Sequence, residues 1–384
     1  MLGFATFPAL LPLMRDVWEL TGKEAGWIAG AYFGGYMLAV PLLSGLTDRL
    51  DARRVYLGSC LLAAAGLAAF AAFAAGPVSA GLFQAVSGAG LAGTYMPGLR
   101  LLADRIGGAR QSRYVAFYTS TFGIGTSASL VLAGWSAAAI GWPAAFALAA
   151  LGPVAAGIIV IAALRPTSLP ALGAEEPTAP APPRLLADRA VRGYVLGYAA
   201  HCWELFGLRS WMVAFVAFCY ALDPGSAGAI APATVAALIN LLGQPASILG
   251  NEIAGRIGRR RLIFAAMLAS ASLAWITGFA GSLAWWLAPL LLVIYNSAVM
   301  ADSAAPTAGL VAITAPARRG AAMALYSFLG FGAGFLSPLA FGAVLDAAGG
   351  KNDPVAWGFA FASLGLLCAV APLAMFRGAG MRIE

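Results

Sequence analysis

Four ionisable residues lie inside long apolar stretches of this 384-residue chain. Glu204 and Asp302 fall at similar depths in two different stretches, so the two carboxylates could share one cavity. His201 precedes Glu204 by one helical turn on the same face, Trp211 follows it by two turns, and Arg209 points about 140° away. Such residues would exchange protons or bind a charged small molecule. The alternative is an internal polar lock that touches no ligand.

Further polar and aromatic residues extend this candidate set. Asn240 and Gln244 lie one turn apart on the clearest polar face of any apolar stretch, where cavity lining and interhelical hydrogen bonding are equally open. Tyr118 and Tyr326 carry hydroxyls that could reach a cavity, although tyrosines in such stretches often only pack. The candidate substrate and proton-coupling residues are His201, Glu204, Arg209, Trp211, Asn240, Gln244, Asp302, Tyr118 and Tyr326.

The composition identifies the surroundings of these stretches. The chain is 61% hydrophobic and 10% charged, with a mean hydropathy of +0.84, whereas soluble domains carry roughly 25% charged residues. We therefore expect an integral membrane protein in a lipid bilayer. The net charge of +7 does not indicate a nucleic-acid partner, because excess arginine in membrane proteins lies in cytoplasmic loops. Four cysteines without C-x-x-C spacing and a single histidine predict neither a metal nor a cofactor.

Twelve stretches are apolar enough to cross a membrane, which predicts an all-α fold. The first holds only 14 residues, so we expect the natural start of the chain to lie upstream of Met1. The proline-rich segment 165–190 is a predicted cytoplasmic linker between a six-helix bundle at 1–164 and a second at 191–384. The predicted spans are 1–14, 26–46, 55–75, 79–102, 114–135, 143–164, 193–220, 229–251, 262–281, 283–313, 321–345 and 355–376.

The basic residues predict the orientation. If both termini are cytoplasmic, all but four of the 23 basic residues lie on the inner side; Arg15, Lys23 and Lys351 lie outside, and Arg209 lies within a span. This bias follows the positive-inside rule and predicts a multi-pass protein of the inner (plasma) membrane. We expect it to be a monomer.

The two halves repeat each other at an offset near 208 residues. Tyr118 corresponds to Tyr326 at 208, and Arg49 corresponds to Arg256 at 207. Duplicated six-helix halves recur in transporters, where the binding site lies near the midplane between the halves.

The loop at 44–54, S-G-L-T-D-R-L-D-A-R-R, resembles the G-x-x-x-D-R-x-G-R-R signature of the major facilitator superfamily. Ser44 and Asp51 stand where that family has glycines. The echo at 251–261, N-E-I-A-G-R-I-G-R-R-R, has Gly255 in place of the acid. The resemblance covers essentially the whole chain and implies two pseudo-symmetric six-helix bundles.

The resemblance also implies a gate. Asp48 would latch the bundles together when the cavity faces outward, by accepting hydrogen bonds from a helix N-terminus or a nearby arginine. Glu252 could substitute for the acid missing from the echo. The candidate gating residues are Asp48, Arg49, Arg53, Glu252 and Arg256. The alternative for the arginines is that they only enforce topology.

We therefore expect a secondary transporter of a small organic solute or ion, working by alternating access and coupled to protons. Glu204 and Asp302 would be the protonation sites, and Glu204 is preferred because His201 offers a proton partner. The fourth span carries Gln84 four residues before Gly88, where the family often has an arginine tied to proton coupling.

Several alternatives stay open. The uncharged Gln84 favours an uncoupled facilitator or exchanger of a small organic anion, and a non-transporting receptor or assembly factor could share the scaffold. Arg209 favours an anionic substrate, whereas the two acids favour a cationic one equally. An enzyme is not expected, because no nucleophile–base or metal constellation is present.

Overall fold

The computed structural model describes residues 1–103, 105–106, 109–166 and 182–376, and every regular element in these ranges is helical. Two short 3-10 turns, Pro224–Ser226 and Ala280–Ser282, join helices at one end. Most of the predicted linker 165–190 and the tail after Phe376 lie outside the described residues. The helices are α1 (Thr6–Val17), α2 (Gly22–Leu46), α3 (Ala52–Phe73), α4 (Pro77–Ala103), α5 (Ala109–Ile140), α6 (Trp142–Ala163), α7 (Pro182–Ala187), α8 (Arg189–Leu222), α9 (Pro232–Ile257), α10 (Arg259–Phe279), α11 (Leu287–Ala301), α12 (Ala305–Ile313), α13 (Pro316–Ala347) and α14 (Pro354–Phe376).

Ten spans in the described residues are long and apolar enough to cross a membrane. The α11–α12 pair counts as one of them, while α1 and α4 are not among the ten. Helix α1 has only 12 residues, and α4, with 27, buries polar side chains such as Gln84 and Ser87. The predicted count of twelve needs both helices and stays a prediction.

Local signals in the sequence account for several helix starts. Thr21 and Glu24 form a capping box at the start of α2, and the carboxylates of Asp51 and Asp188 cap α3 and α8. Proline occupies the first turn of α9 and α13, where its missing amide proton is not needed. Helices α2, α3 and α8 therefore begin at a polar cap, and α9 and α13 begin at a proline.

The predicted span 283–313 is wrong as a single continuous helix. Helix α11 ends at Ala301 and α12 begins at Ala305, with Asp302 at the break between them. Pro306 lies in the first turn of α12 and cannot donate the amide hydrogen bond that a continuous helix would need there. The break places the Asp302 carboxyl at a discontinuity inside the second half.

Helices α1–α6 are here called the first half and α8–α14 the second half. The two halves meet mainly where α2 packs on α13 and where α5 packs on α9. A Cβ atom at Gly26 would collide with the Pro338 carbonyl, so only glycine allows α2 and α13 to approach so closely. Further along the same pair, Tyr36 stacks on Phe331 at 3.8 Å between ring centroids. In the second pair, the Ser127 hydroxyl donates to the Ala237 carbonyl at 3.0 Å. Of the two hydrophobic clusters in the described residues, the larger runs through both halves and the smaller lies within the second half and α7.

Candidate functional site

His201 and Asp302 form a buried pair inside the second half. His201 Nδ1 lies 2.7 Å from Asp302 Oδ1, and both side chains are almost completely buried. The second carboxylate oxygen, Oδ2, has no hydrogen-bond partner in the part of the chain that the structure describes. Two aromatic side chains lie beside the pair. Tyr198 stacks on Tyr326 with 3.7 Å between the ring centroids, and the Tyr326 hydroxyl lies 2.6 Å from Thr307 Oγ1. The arrangement can hold one proton between an imidazole and a carboxylate.

Glu204 has different partners from those the sequence suggests. Its carboxylate accepts hydrogen bonds from the Ser270 hydroxyl at 2.7 Å and the Tyr295 hydroxyl at 3.0 Å. The expectation that His201 is the proton partner of Glu204 is therefore wrong, because the helix break at Asp302 brings a second carboxyl to the imidazole. Both acceptor oxygens of Glu204 are satisfied, as in an internal polar lock.

A narrow cavity lies between the two halves, and neither acid lines it. The second half contributes Arg209, Ser210 and Asn240. The first half contributes Gln84 of α4, Thr126 and Leu130 of α5, and mainly apolar residues of α2 and of the N-terminal segment 4–8. Its open volume is about 10 Å³, which holds roughly one water molecule. The expectation that Glu204 and Asp302 share one cavity is not met by this structure, because each carboxyl turns into the second half.

Arg209 points into this cavity, away from Glu204 as the helical spacing indicates. The side chain is 8% exposed, and its guanidinium contacts the Met300 sulfur at 3.7 Å. Its Nε has no partner, and none of the salt bridges in the described residues includes it. A buried guanidinium without a carboxylate is a cation that lacks its counter-ion.

The remaining candidates lie in four different environments. Trp211 donates its indole N–H to the Pro338 carbonyl at 3.0 Å, and this hydrogen bond links α8 to α13. The Tyr118 hydroxyl donates to the Tyr95 carbonyl at 2.8 Å within the first half. Gln244 lies over Gly123 at the contact of α9 with α5. Of this group, only Asn240 lines the cavity between the halves.

One end of the bundles, here named the Lys351 end, is closed by contacts between the halves. The Asp346 carboxylate accepts hydrogen bonds from the backbone amides of Gly22 at 2.7 Å and Lys23 at 2.8 Å. Lys351 pairs with Asp16 at 2.6 Å. These contacts tie α13 and the loop after it to α1 and the first turn of α2.

Arg15 adds a buried contact at the Lys351 end. The sequence ends the first span before Arg15, but α1 continues to Val17 and buries the side chain. The guanidinium lies 5.6 Å from the ring centroid of Trp211, a cation–π contact between the halves. The long apolar stem of arginine explains why the helix can continue through it.

The opposite end, here named the Asp48 end, is open. A cavity of about 520 Å³ separates the halves there, lined by Asp48 and Arg100 on one side and by Gly320 and Ala321 of α13 on the other. Asp48 accepts a hydrogen bond from Arg100, which also donates to the Thr47 hydroxyl at 2.9 Å. Asp48 is therefore bound within its own half here.

The other candidate gating residues do not join the halves in the described part of the chain. Arg53 donates to the Ile161 carbonyl near the end of α6 at 3.3 Å, within the first half. Arg49, Glu252 and Arg256 are exposed at the Asp48 end. Among the described residues, the predicted gating set takes part in one ion pair, between Asp48 and Arg100.

Two residues at these sites are not predicted by the sequence pattern. In the sequence Gln84 is notable only because it replaces an arginine, yet its side chain lines the cavity opposite Arg209. Asp346 resembles an ordinary polar residue that follows a span. A signal was available, since an acid in the last turn of a helix is unfavourable there unless another group compensates.

Comparisons with known proteins agree with this architecture. The sequence model of the Major Facilitator Superfamily matches residues 1–329. A bacterial homologue of the human lysosomal transporter Spinster, in an inward-facing and occupied conformation, superimposes with a TM-score of 0.77 at 14% identity, over 98% of this chain and 93% of that chain. The nucleoside transporter NupG superimposes with a TM-score of 0.71 at 18% identity, over 98% and 97% of the two chains.

No curated protein matches the chain by sequence. At these identities the solved structures show the fold alone, while the sequence model covers more than half of the chain. The helical architecture, the membrane-spanning helices and the match together identify a multi-pass membrane transporter. The chain belongs to the major facilitator superfamily.

Proposed function

We propose that this protein is a proton-coupled secondary transporter of a small organic solute, working by alternating access between its two halves. The observation that carries the coupling is the buried pair of His201 and Asp302 at the break between α11 and α12. One chain supplies both halves, so we propose a monomer as the working unit.

The position of the pair supports a role in proton transfer. An ionisable carboxyl within a membrane span is costly and typically marks a proton relay or an ion path. Broken helices in transporters place such groups near the midplane, where coupling ions bind. Asp302 keeps one oxygen unpartnered, which leaves it able to take up a proton. Because Glu204 is satisfied by two hydroxyls, we propose Asp302, with His201, as the principal coupling site.

The open and closed ends support alternating access. The basic residues favour a cytoplasmic location for the Asp48 end, with both termini and the linker on that side of the plasma membrane. On that orientation the structure faces inward. Facing outward would require Asp346 to release the first turn of α2 and the 520 Å³ cavity to close. Asp48 would then leave Arg100 and meet the start of α13, which it faces across that cavity.

The experiment that tests this function is transport in reconstituted liposomes. A substrate found by a thermal-shift screen of small metabolites would be offered with and without an imposed pH gradient, and a trapped pH dye would report proton movement. We expect concentration of the substrate only with the gradient, together with a stoichiometric pH change. If the substrate only equilibrates across the membrane and the dye reports no proton movement, the coupling to protons is contradicted.

An uncoupled facilitator is the second candidate. The observation that favours it is that neither Glu204 nor Asp302 lines the cavity between the halves, whereas the uncharged Gln84 does. The same liposome experiment separates the two functions, because a facilitator equilibrates its substrate at the same rate with or without the gradient.

A further inference from the structure

We infer that the narrow cavity between the halves binds a small organic monoanion with an apolar body, its charge held by Arg209. Gln84, Ser210 and Asn240 would bind its polar atoms. This inference rests on the part of the proposed function in which a solute passes between the halves, and not on the coupling to protons.

Four polar groups that line this cavity have no hydrogen-bond partner among the described residues. They are Gln84 Oε1, Arg209 Nε, Ser210 Oγ and Asn240 Oδ1. All four side chains are more than nine-tenths buried. Buried polar atoms are paired in the great majority of proteins, because an unpaired one loses its contact with water and gains nothing in return. Four such atoms around one cavity indicate a ligand that supplies the missing partners.

The charge of the cavity selects an anion. Arg209 is always protonated, and a buried cation is costly unless it is paired. None of the described residues that line the cavity carries a carboxylate. The two buried acids of the second half are bound elsewhere, Asp302 to His201 and Glu204 to Ser270 and Tyr295. A single unpaired guanidinium fits a single carboxylate-like group.

The rest of the lining describes the body of the ligand. Phe4, Ala29, Phe33 and Leu130 surround the polar groups with apolar surface. A ligand that combines a carboxylate with an aromatic or aliphatic group would match both parts. Amide groups can turn over, so Gln84 and Asn240 can present either a donor or an acceptor to the ligand.

The ligand would bridge the two halves of the transporter. Gln84 belongs to α4 of the first half, whereas Arg209, Ser210 and Asn240 belong to α8 and α9 of the second. The cavity now holds roughly one water, so the halves must move apart before an organic anion can enter. Binding on both sides would then favour the conformations in which the halves approach each other around the anion.

The experiment uses the purified full chain in detergent, with three anions and their uncharged amides as probes. Benzoate, lactate and acetate would each be compared with benzamide, lactamide and acetamide by thermal shift and by calorimetric titration. We expect at least one anion to raise the melting temperature and to bind at least tenfold more tightly than its amide. An acid and its amide have nearly the same shape and differ in charge and in one oxygen that becomes an NH2 group, so the comparison tests whether the site recognises a carboxylate.

Three variants locate the site. Arg209→Gln should weaken binding of that anion at least tenfold, and Gln84→Leu should weaken it several-fold. Arg192→Gln is the matched control, because Arg192 lies exposed on the same helix and donates to the Leu186 carbonyl outside the cavity. Without anion, Arg209→Gln should melt at the same temperature as the unmodified protein or higher, since it removes an unpaired buried charge.

The inference is overturned if no anion binds better than its amide, or if Arg209→Gln binds the anion as well as the unmodified protein does. Its failure is separable from that of the proposed coupling. Anion binding that depends on Arg209, combined with flux that ignores a pH gradient, would support this site and contradict the coupling. Gradient-driven transport of a neutral solute, without anion binding, would do the reverse.

Discussion

The carboxylate of Asp346 accepts a hydrogen bond of 2.7 Å from the backbone amide of Gly22, across the boundary between the two halves. Asp346 lies in the last turn of α13, where the helix dipole disfavours an acid, and it points at the first turn of α2, where the dipole favours one. Asp48, just beyond the end of α2, faces the start of α13 at the opposite end. One acid therefore lies at each end of the contact between α2 and α13. Of the two, Asp346 contacts the other half here, whereas Asp48 is bound to Arg100 of its own half.

The first prediction concerns this closing contact. Asp346→Asn should shift the population toward the conformation that opens at the Lys351 end, because it weakens two hydrogen bonds to a charged acceptor. The loss is about 1–2 kcal/mol, or about a tenfold change in a balanced equilibrium. Spin labels on cysteines placed at Ala75 and Ala227, exposed near that end in the two halves, should move apart.

Asp16→Asn provides the comparison for this variant. It breaks the pair with Lys351, which is solvent-exposed and should contribute at most about 1 kcal/mol. We expect a smaller change in the label distances than with Asp346→Asn. Equal distance distributions in Asp346→Asn and the unmodified protein would show that the Asp346 contact does not hold this end closed.

The second prediction concerns Asp48 and Arg100. If Asp48 latches the Asp48 end in the outward-facing conformation, Asp48→Asn should reduce the population of that conformation. Arg100→Gln should increase it, because it releases Asp48 from its present partner. Labels at Arg54 and Arg318, exposed on the two halves at this end, would measure both shifts. Shifts in the same direction for both variants would contradict the latch.

The third prediction separates Glu204 from Asp302. Glu204→Gln should lower the free energy of unfolding by about 1–3 kcal/mol, because it leaves a buried hydroxyl without its acceptor. Ser270→Ala should lower it less, since it removes one donor and leaves Tyr295 in place. Thermal unfolding in detergent would measure both changes. If Glu204→Gln is as stable as the unmodified protein but loses proton coupling, Glu204 is a coupling residue and not a structural one.

The fourth prediction concerns topology. Single cysteines at Arg54 and Arg319 should resist an impermeant thiol reagent in intact cells, and a cysteine at Lys351 should react with it. The four native cysteines are buried and should contribute little background. Labelling of the Arg54 position from outside, with protection at Lys351, would reverse the orientation and exchange the inner and outer ends.

The sequence predicts much of this architecture because hydrophobic length and charge placement are read directly from it. The all-α fold, the resemblance to the family and the burial of His201, Glu204, Arg209 and Asp302 follow from apolar runs interrupted by ionisable residues. The opposite orientation of Arg209 and Glu204 follows from helical spacing alone.

The pairing of the buried groups could not be predicted in the same way. It depends on the helix break at Asp302, which turns one carboxyl to His201 and leaves Glu204 to Ser270 and Tyr295. The position of Gln84 in the cavity likewise depends on how α4 faces α8. Contacts between distant helices are set by packing, and no local pattern in the sequence records them.

The proposal that Asp302, with His201, couples protons to transport is best tested by the uptake of substrate into liposomes that contain Asp302→Asn. The unmodified protein and the control variant Glu19→Gln, which changes an exposed carboxylate, should both concentrate substrate when a pH gradient is imposed. Asp302→Asn should still exchange internal for external substrate but should bring it only to equilibrium. If Asp302→Asn still concentrates substrate in response to the gradient, Asp302 is not the coupling site.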